Sequence, residues 1–181
     1  EETPDEIARK QLNTNLFGLA SLTRKIIPIM RQRNAGRIIN VSSIAGRVSI
    51  PGGGWYAASK HALEAISDAM RWELYQFNIK VSVIQPGPIK TQFANSAQDN
   101  IVTQKKDSPY GKLVKNLLET GANSTGGKAE DCAKVIFKAI QSNNPKTRYI
   151  VTKEALLIKI IISIFPQKVI DYFVRSYLVK N

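Results

Sequence analysis

One cysteine in 181 residues rules out a disulfide within the chain and any cysteine-rich metal site. That cysteine, Cys132, falls in "AEDCAKVIFKAI", where it reads as a small apolar residue on a helix. The apolar run 155–165 has 11 residues with Lys159 inside it, well short of the ~20 that cross a bilayer. A basic-then-apolar leader is lacking too, since the chain opens with the acidic "EETPDE". A cytoplasmic protein is therefore expected. No repeat or low-complexity tract is present, which argues against a solenoid.

Negative charge is scarce. Lys and Arg number 26 against 14 Asp and Glu, a net charge of +12. Residues 1–100 carry 12 basic and 8 acidic side chains (net +4), and residues 101–181 carry 14 and 6 (net +8). The excess forms no dense block, and no zinc-finger, helix-turn-helix or RNA-binding signature accompanies it, so no nucleic-acid partner is expected. Apolar residues make up 43%, ordinary for a domain with a real core.

Along residues 5–32, Leu12, Leu16, Leu19, Leu22, Ile26 and Ile29 recur at three- and four-residue steps, predicting one long helix. Pro28 should bend it or mark a break near its end. "RIINVSS" is a short β-branched run after the turn "NAG" and reads as a strand buried on both faces. A helix over about 55–77 follows the glycine-rich "SIPGGG", and "IKVSVIQPGPIKT" reads as a second buried strand ending in a turn. Residues 91–128 are polar apart from the amphipathic "YGKLVKNLLETG", which suits a mobile flap with a short helix. A helix over 129–141, a strand "RYIV" and two apolar helices parted at Pro166 complete the chain. This alternation predicts an α/β fold with a parallel sheet covered by helices. Residues 1–128 would form the core with the flap 92–128, and 129–181 the final helix, strand and tail of the same domain.

Tyr56 and Lys60 lie four residues apart on the predicted third helix, a spacing that puts both on one face. A phenol titrates near 10 and shuttles protons poorly at neutral pH. An adjacent ammonium should lower that value and fit the phenol for general acid–base work on an alcohol or carbonyl oxygen. Such a pair alone is common on helices. Ser43, 13 residues before Tyr56 at a strand end, adds a hydroxyl. Asn15 adds an amide inside a helix, where that residue type is a poor former. "PGPIKT" sits at the carboxyl end of a strand, where ligands bind in open parallel sheets. Ser42 competes with Ser43, but strand alternation should turn it away. His61 follows Lys60 and should face solvent or a subunit contact; Trp55 either borders the substrate entrance or packs.

"NTNLFG", "GRIINVSSIAG", "YAASK" and "VSVIQPGPIKT", in that order and spacing, resemble the consecutive motifs of the short-chain dehydrogenase/reductase family. The retinol/hydroxysteroid-dehydrogenase-like branch is the most similar. The resemblance implies a partial Rossmann-like, doubly wound sheet and an oxidoreductase that interconverts an alcohol and a carbonyl with NAD or NADP. It assigns catalysis to Asn15, Ser43, Tyr56 and Lys60. Tyr56 would be the acid/base, Lys60 would also bind the nicotinamide ribose, and Ser43 would polarise the substrate oxygen. Asn15 would anchor a water through its backbone carbonyl. Pro86, Gly87, Ile89 and Thr91 would line the nicotinamide site.

Family members open with a T-G-x-x-x-G-x-G turn that receives the cofactor pyrophosphate, and carry N-N-A-G on a later strand. Neither motif occurs in these 181 residues, so the chain is expected to be the family's last three strands without its N-terminal half. The apolar tail and flap suggest a lipophilic substrate, and the resemblance implies a homodimer or homotetramer built on helices 5–32 and 55–77. Two other readings compete: a catalytically dead dimerisation fragment, and a basic protein that rests on a membrane surface.

Overall fold

In a computed structural model, residues 1–90, 108–113, 115–116 and 126–178 are described. Three strands, β1 (Gly36–Val41), β2 (Ile79–Gln85) and β3 (Arg148–Ile150), form a parallel sheet in the order β1-β2-β3. Gly36 pairs with Ile79 and Val41 with Ile84; Val83 pairs with Arg148. Parallel neighbours need long crossovers, and the sequence supplies a helix for each. Helix α3 (Gly54–Glu73) joins β1 to β2, and α4 (Ala129–Gln141) precedes β3.

The period of two along β2 sorts its side chains to opposite faces. Ile79 and Val81 join Met70 and Leu74 of the α3 side, with Ile27, Met30 and Ile38 packed around them. Ile84 turns the other way, to Ala139 of α4 and Tyr149 of β3. Helices thus cover both faces, and the doubly wound α/β expectation holds. Cys132 lies half-buried on α4 beside this second cluster.

Several expectations need correction. The helix over 5–32 is continuous but not uniform: α1 (Asp5–Leu12) and α2 (Leu19–Gln32) are joined by a π-helical turn, Asn13–Gly18. Helix α2 runs on through Pro28 to Gln32, so the irregularity lies at Asn15 and the proline ends nothing. The leucine stripe does not all face the core. Ile27 and Met30 pack inward, while Leu22 is 61% and Ile29 50% exposed. Strand β1 is shorter than "RIINVSS" and is not buried on both faces. Most of it is half-buried and Val41 is 44% exposed, because among the described strands it has a partner on one side only. The predicted helix 55–77 ends as α-helix at Glu73 and finishes in a 3-10 turn, Tyr75–Phe77, where Asn78 takes a left-handed conformation (φ 52°) that asparagine tolerates.

Helices α5 (Lys153–Ile164) and α6 (Gln167–Leu178) part at Pro166 as expected. Thr152 caps α5, its hydroxyl accepting from Ala155 N at 3.2 Å. Among the described residues no helix is long and apolar enough to cross a membrane. Residues 111–113 and 115–116 of the amphipathic piece are helical. Apart from residues 108–110, the rest of the expected flap up to residue 125 lies outside the described residues, as does Thr91.

Candidate active site

Ser43 leaves β1 just beyond its last paired residue. Its hydroxyl accepts from Ala45 N at 3.1 Å, capping a 3-10 turn over Ile44–Gly46, and donates to the carbonyl of Pro86 at 3.4 Å. The hydroxyl therefore ties the ends of β1 and β2 together. Tyr56, in the first turn of α3, hydrogen-bonds the same Ser43 hydroxyl. Lys60, one turn on, donates from Nζ to the Val41 carbonyl at 3.1 Å and sits 5.7 Å from the centroid of the Tyr56 ring, within cation–π range. Ser43, Tyr56, Lys60 and the Pro86 end of β2 thus meet at the carboxyl edge of the sheet. Ile89 forms a parallel bridge with Gly127. Gly87 packs against Thr152 and Ala155 at the start of α5, where a Cβ would strike the threonine hydroxyl.

The Asn15 side chain is tied to the start of α3. Its Nδ2 donates to Ser59 Oγ at 3.0 Å and to Gln11 Oε1 at 3.0 Å, and Ser59 in turn donates to the Tyr56 carbonyl at 2.7 Å. The π turn around Asn15 brings this amide to the first turn of α3, and such insertions concentrate at functional sites. Ser42 turns away from Ser43, as alternation required, and is 4% exposed with its hydroxyl unpartnered. His61 is exposed on the next face of α3 and contacts the Ala57 carbonyl through Nδ1 at 2.9 Å. It also lines a cavity of about 670 Å³ with Arg47, Pro51, Phe165 and Arg175. Trp55 is half exposed.

The expected lowering of the Tyr56 pKa by Lys60 is not what the structure shows. Burial pushes the phenol above its ordinary value, and the Ser43 hydrogen bond offsets only part of that rise. Burial likewise lowers Lys60, with the charge of Glu64 opposing it. Desolvation disfavours the charged form of each group, and the Lys60 ammonium is directed to Val41 O rather than to the phenol oxygen. Burial thus favours the neutral phenol at Tyr56.

Four groups around the site were not singled out by motif: Ser59, Glu64, Gln85 and Arg148. Gln85 Nε2 donates to Glu64 Oε1 at 3.0 Å, and Arg148 Nε to Glu64 Oε2 at 2.9 Å. The signal was available in the helical period. Tyr56, Lys60, Leu63, Glu64 and Ser67 share one stripe, and a carboxylate on an inward stripe needs a partner.

The comparisons bear on this geometry. The family model "short chain dehydrogenase" matches residues 1–101, more than half of the chain. The uncharacterized oxidoreductase YbbO of Escherichia coli is 39% identical over 167 residues, covering 92% of this chain and 58% of YbbO. The 3-ketodihydrosphingosine reductase of Bacteroides thetaiotaomicron is 30% identical over 182 residues, covering 98% of this chain and 66% of that protein. A crystal structure of a short-chain dehydrogenase from Burkholderia cenocepacia in complex with NADP superposes with a TM-score of 0.71 at 21% identity, covering 98% of this chain and 63% of that one. The chain spans less than two thirds of the length of each. With its parallel sheet and its Ser43–Tyr56–Lys60 cluster at the strand ends, the chain belongs to the short-chain dehydrogenase family.

Proposed function

We propose that these residues are the catalytic part of an NAD(P)-dependent oxidoreductase that reduces the carbonyl of a lipophilic substrate, with Tyr56 as the general acid. One observation carries the reading: the Tyr56 phenol, the Ser43 hydroxyl and the Lys60 ammonium gather at the carboxyl ends of β1 and β2. Ser43 holds the substrate oxygen beside Tyr56, and the phenol gives it a proton as negative charge develops there. Burial keeps the proton on the phenol until the substrate oxygen takes it, and the same group would take it back in the oxidative direction. Asn15 and Ser59 steady the turn of α3 that carries the phenol.

The nicotinamide end of the cofactor fits the residues present. Lys60 offers an ammonium at the strand ends, and Pro86, Gly87 and Ile89 form the crevice wall beyond β2, with Thr91 assigned there by family resemblance. When bound, the reduced cofactor supplies the hydride. The pyrophosphate-binding glycine turn lies nowhere in these 181 residues, so we place it in a longer protein. A native mass well above 20.1 kDa is expected; a folded, cofactor-binding species of that mass would remove this part of the reading.

Lipophilic substrate chemistry is supported by the name of the Bacteroides relative, 3-ketodihydrosphingosine reductase. Apolar residues of α5 also stand exposed, Leu157 and Ile164 among them. With the full-length protein, NADPH or NADH consumption should rise steeply across a series of ketones of increasing alkyl length, each added CH₂ contributing up to about 0.8 kcal/mol to kcat/KM. A profile flat with chain length would exclude an apolar substrate channel.

A further inference from the structure

Glu64 is a charged side chain where charge is costly. The residue is 5% exposed, one turn beyond Lys60 on α3, and its carboxylate is held from two other elements. Gln85, the last residue of β2, reaches one oxygen and Arg148, the first of β3, reaches the other. The Arg148 guanidinium also bonds Asp68 Oδ2 at 2.7 Å, and Arg71 bonds Asp68 Oδ1 at 2.8 Å. On its other side Glu64 meets the turn that follows Ser43. A Cβ added to Gly46 would lie 2.9 Å from Glu64 Cγ, 3.1 Å from the Lys60 carbonyl and 2.8 Å from Ser42 Oγ. Glu64 therefore stands where α3, the Ser43 turn and the ends of β2 and β3 converge.

Buried ion pairs are often replaceable by apolar residues with no loss of stability, so folding alone gives little reason for this carboxylate. We infer that Glu64 is a positioning residue: clamped by Gln85 and Arg148, it fixes the Tyr56–Lys60 face of α3 against the strand ends and lends Lys60 its field. The inference rests on the oxidoreductase reading above. Among the described residues, Lys60 is faced by the Tyr56 ring and Glu64 from its own helix and by the Val41 carbonyl from β1. The charge of Glu64 opposes the lowering that burial imposes on the ammonium. Around Glu64 stand the Arg148 guanidinium and the neutral Gln85 amide, with Asp68 and Arg71 beyond the arginine.

The test uses the full-length protein with isotope-labelled lysine, the Lys60 signal being identified by its loss in Lys60→Arg. In Glu64→Gln, which keeps shape and removes charge, the Lys60 titration should move to lower pH. The kcat should fall roughly ten- to a hundredfold with KM nearly constant, and the pH profile of kcat should shift in the same direction as the titration. Glu64→Asp should restore the titration. An unmoved Lys60 titration, or a kcat–pH profile identical to the unsubstituted protein, overturns the inference. Should Glu64→Gln not fold, Gln85→Met removes one clamp and retains the charge; it should lower kcat at constant KM, and unchanged kcat there overturns the positioning role. Turnover that survives Tyr56→Phe counts against the oxidoreductase reading instead, and leaves the Lys60 titration as the measure of the Glu64 coupling.

Discussion

Replacing Tyr56 with phenylalanine in the full-length protein lowers kcat by about 10²–10⁴-fold, the usual contribution of a positioned acid, while the dissociation constant of the nicotinamide cofactor changes little. The substitution keeps the ring that Lys60 overlies at 5.7 Å and removes only the oxygen bonded to Ser43. On the proposed acid role, the loss is one of proton donation and should appear in single-turnover rates as strongly as at steady state. Stopped-flow measurement of cofactor oxidation at saturating ketone checks this. An unchanged single-turnover rate would mean that the proton comes from elsewhere, and Tyr56 would revert to an ordinary half-buried tyrosine.

The largest expected loss of stability follows Arg148→Ala. That guanidinium holds two carboxylates on α3, Glu64 at 2.9 Å and Asp68 at 2.7 Å, and so stitches the crossover helix to β3. Taking one partner from a buried pair costs about 3–5 kcal/mol because the remaining charge is left unmatched. The lower end applies, since Asp68 is part exposed and keeps Arg71. The urea midpoint should fall with its m value unchanged.

Acid adds a signed check on the same variant. Burial pushes the Asp68 carboxyl up, but the bonds from Arg148 and Arg71 outweigh it and hold the group below its ordinary value. A depressed carboxyl contributes stability that is complete above its unfolded pKa, about 3.9, and is lost as pH falls through the folded value. Without Arg148 that acid-labile portion shrinks, so the slope of stability against pH below about 4 flattens. A midpoint within experimental error of the unsubstituted protein, with the same acid slope, would deny the clamp any energetic role.

How much of this was legible in the chain depends on the range of the interaction. Strand β2 could be read because its alternation is local, and α4 because "AEDCAKVIFKAI" carries its own acidic first turn and apolar stripe. The site motif was legible for the same reason: Tyr56 and Lys60 are one turn apart, and Ser43 stands at a strand end. Long-range matters were not. The Leu22 and Ile29 stripe looked like core, yet the sheet accommodates Ile27 and Met30 in their place. Nothing local says that Arg148 lies against Glu64, 84 residues away. The sign of the Tyr56 shift was also hidden, because spacing places the ammonium near the ring but cannot weigh its field against desolvation or foresee its bond to Val41.

The π turn at Asn13–Gly18 limits how this segment can change length. Deleting a single residue there would let the wide turn close to ordinary α-helix; the upstream face would keep its azimuth, but the widening that carries the Asn15 amide toward Ser59 would be lost. Ala8 would keep its buried berth, and the change would fall on the reach of Asn15 to Ser59. A homologue one residue shorter in this stretch would therefore bury the same face but need a different tether for the first turn of α3.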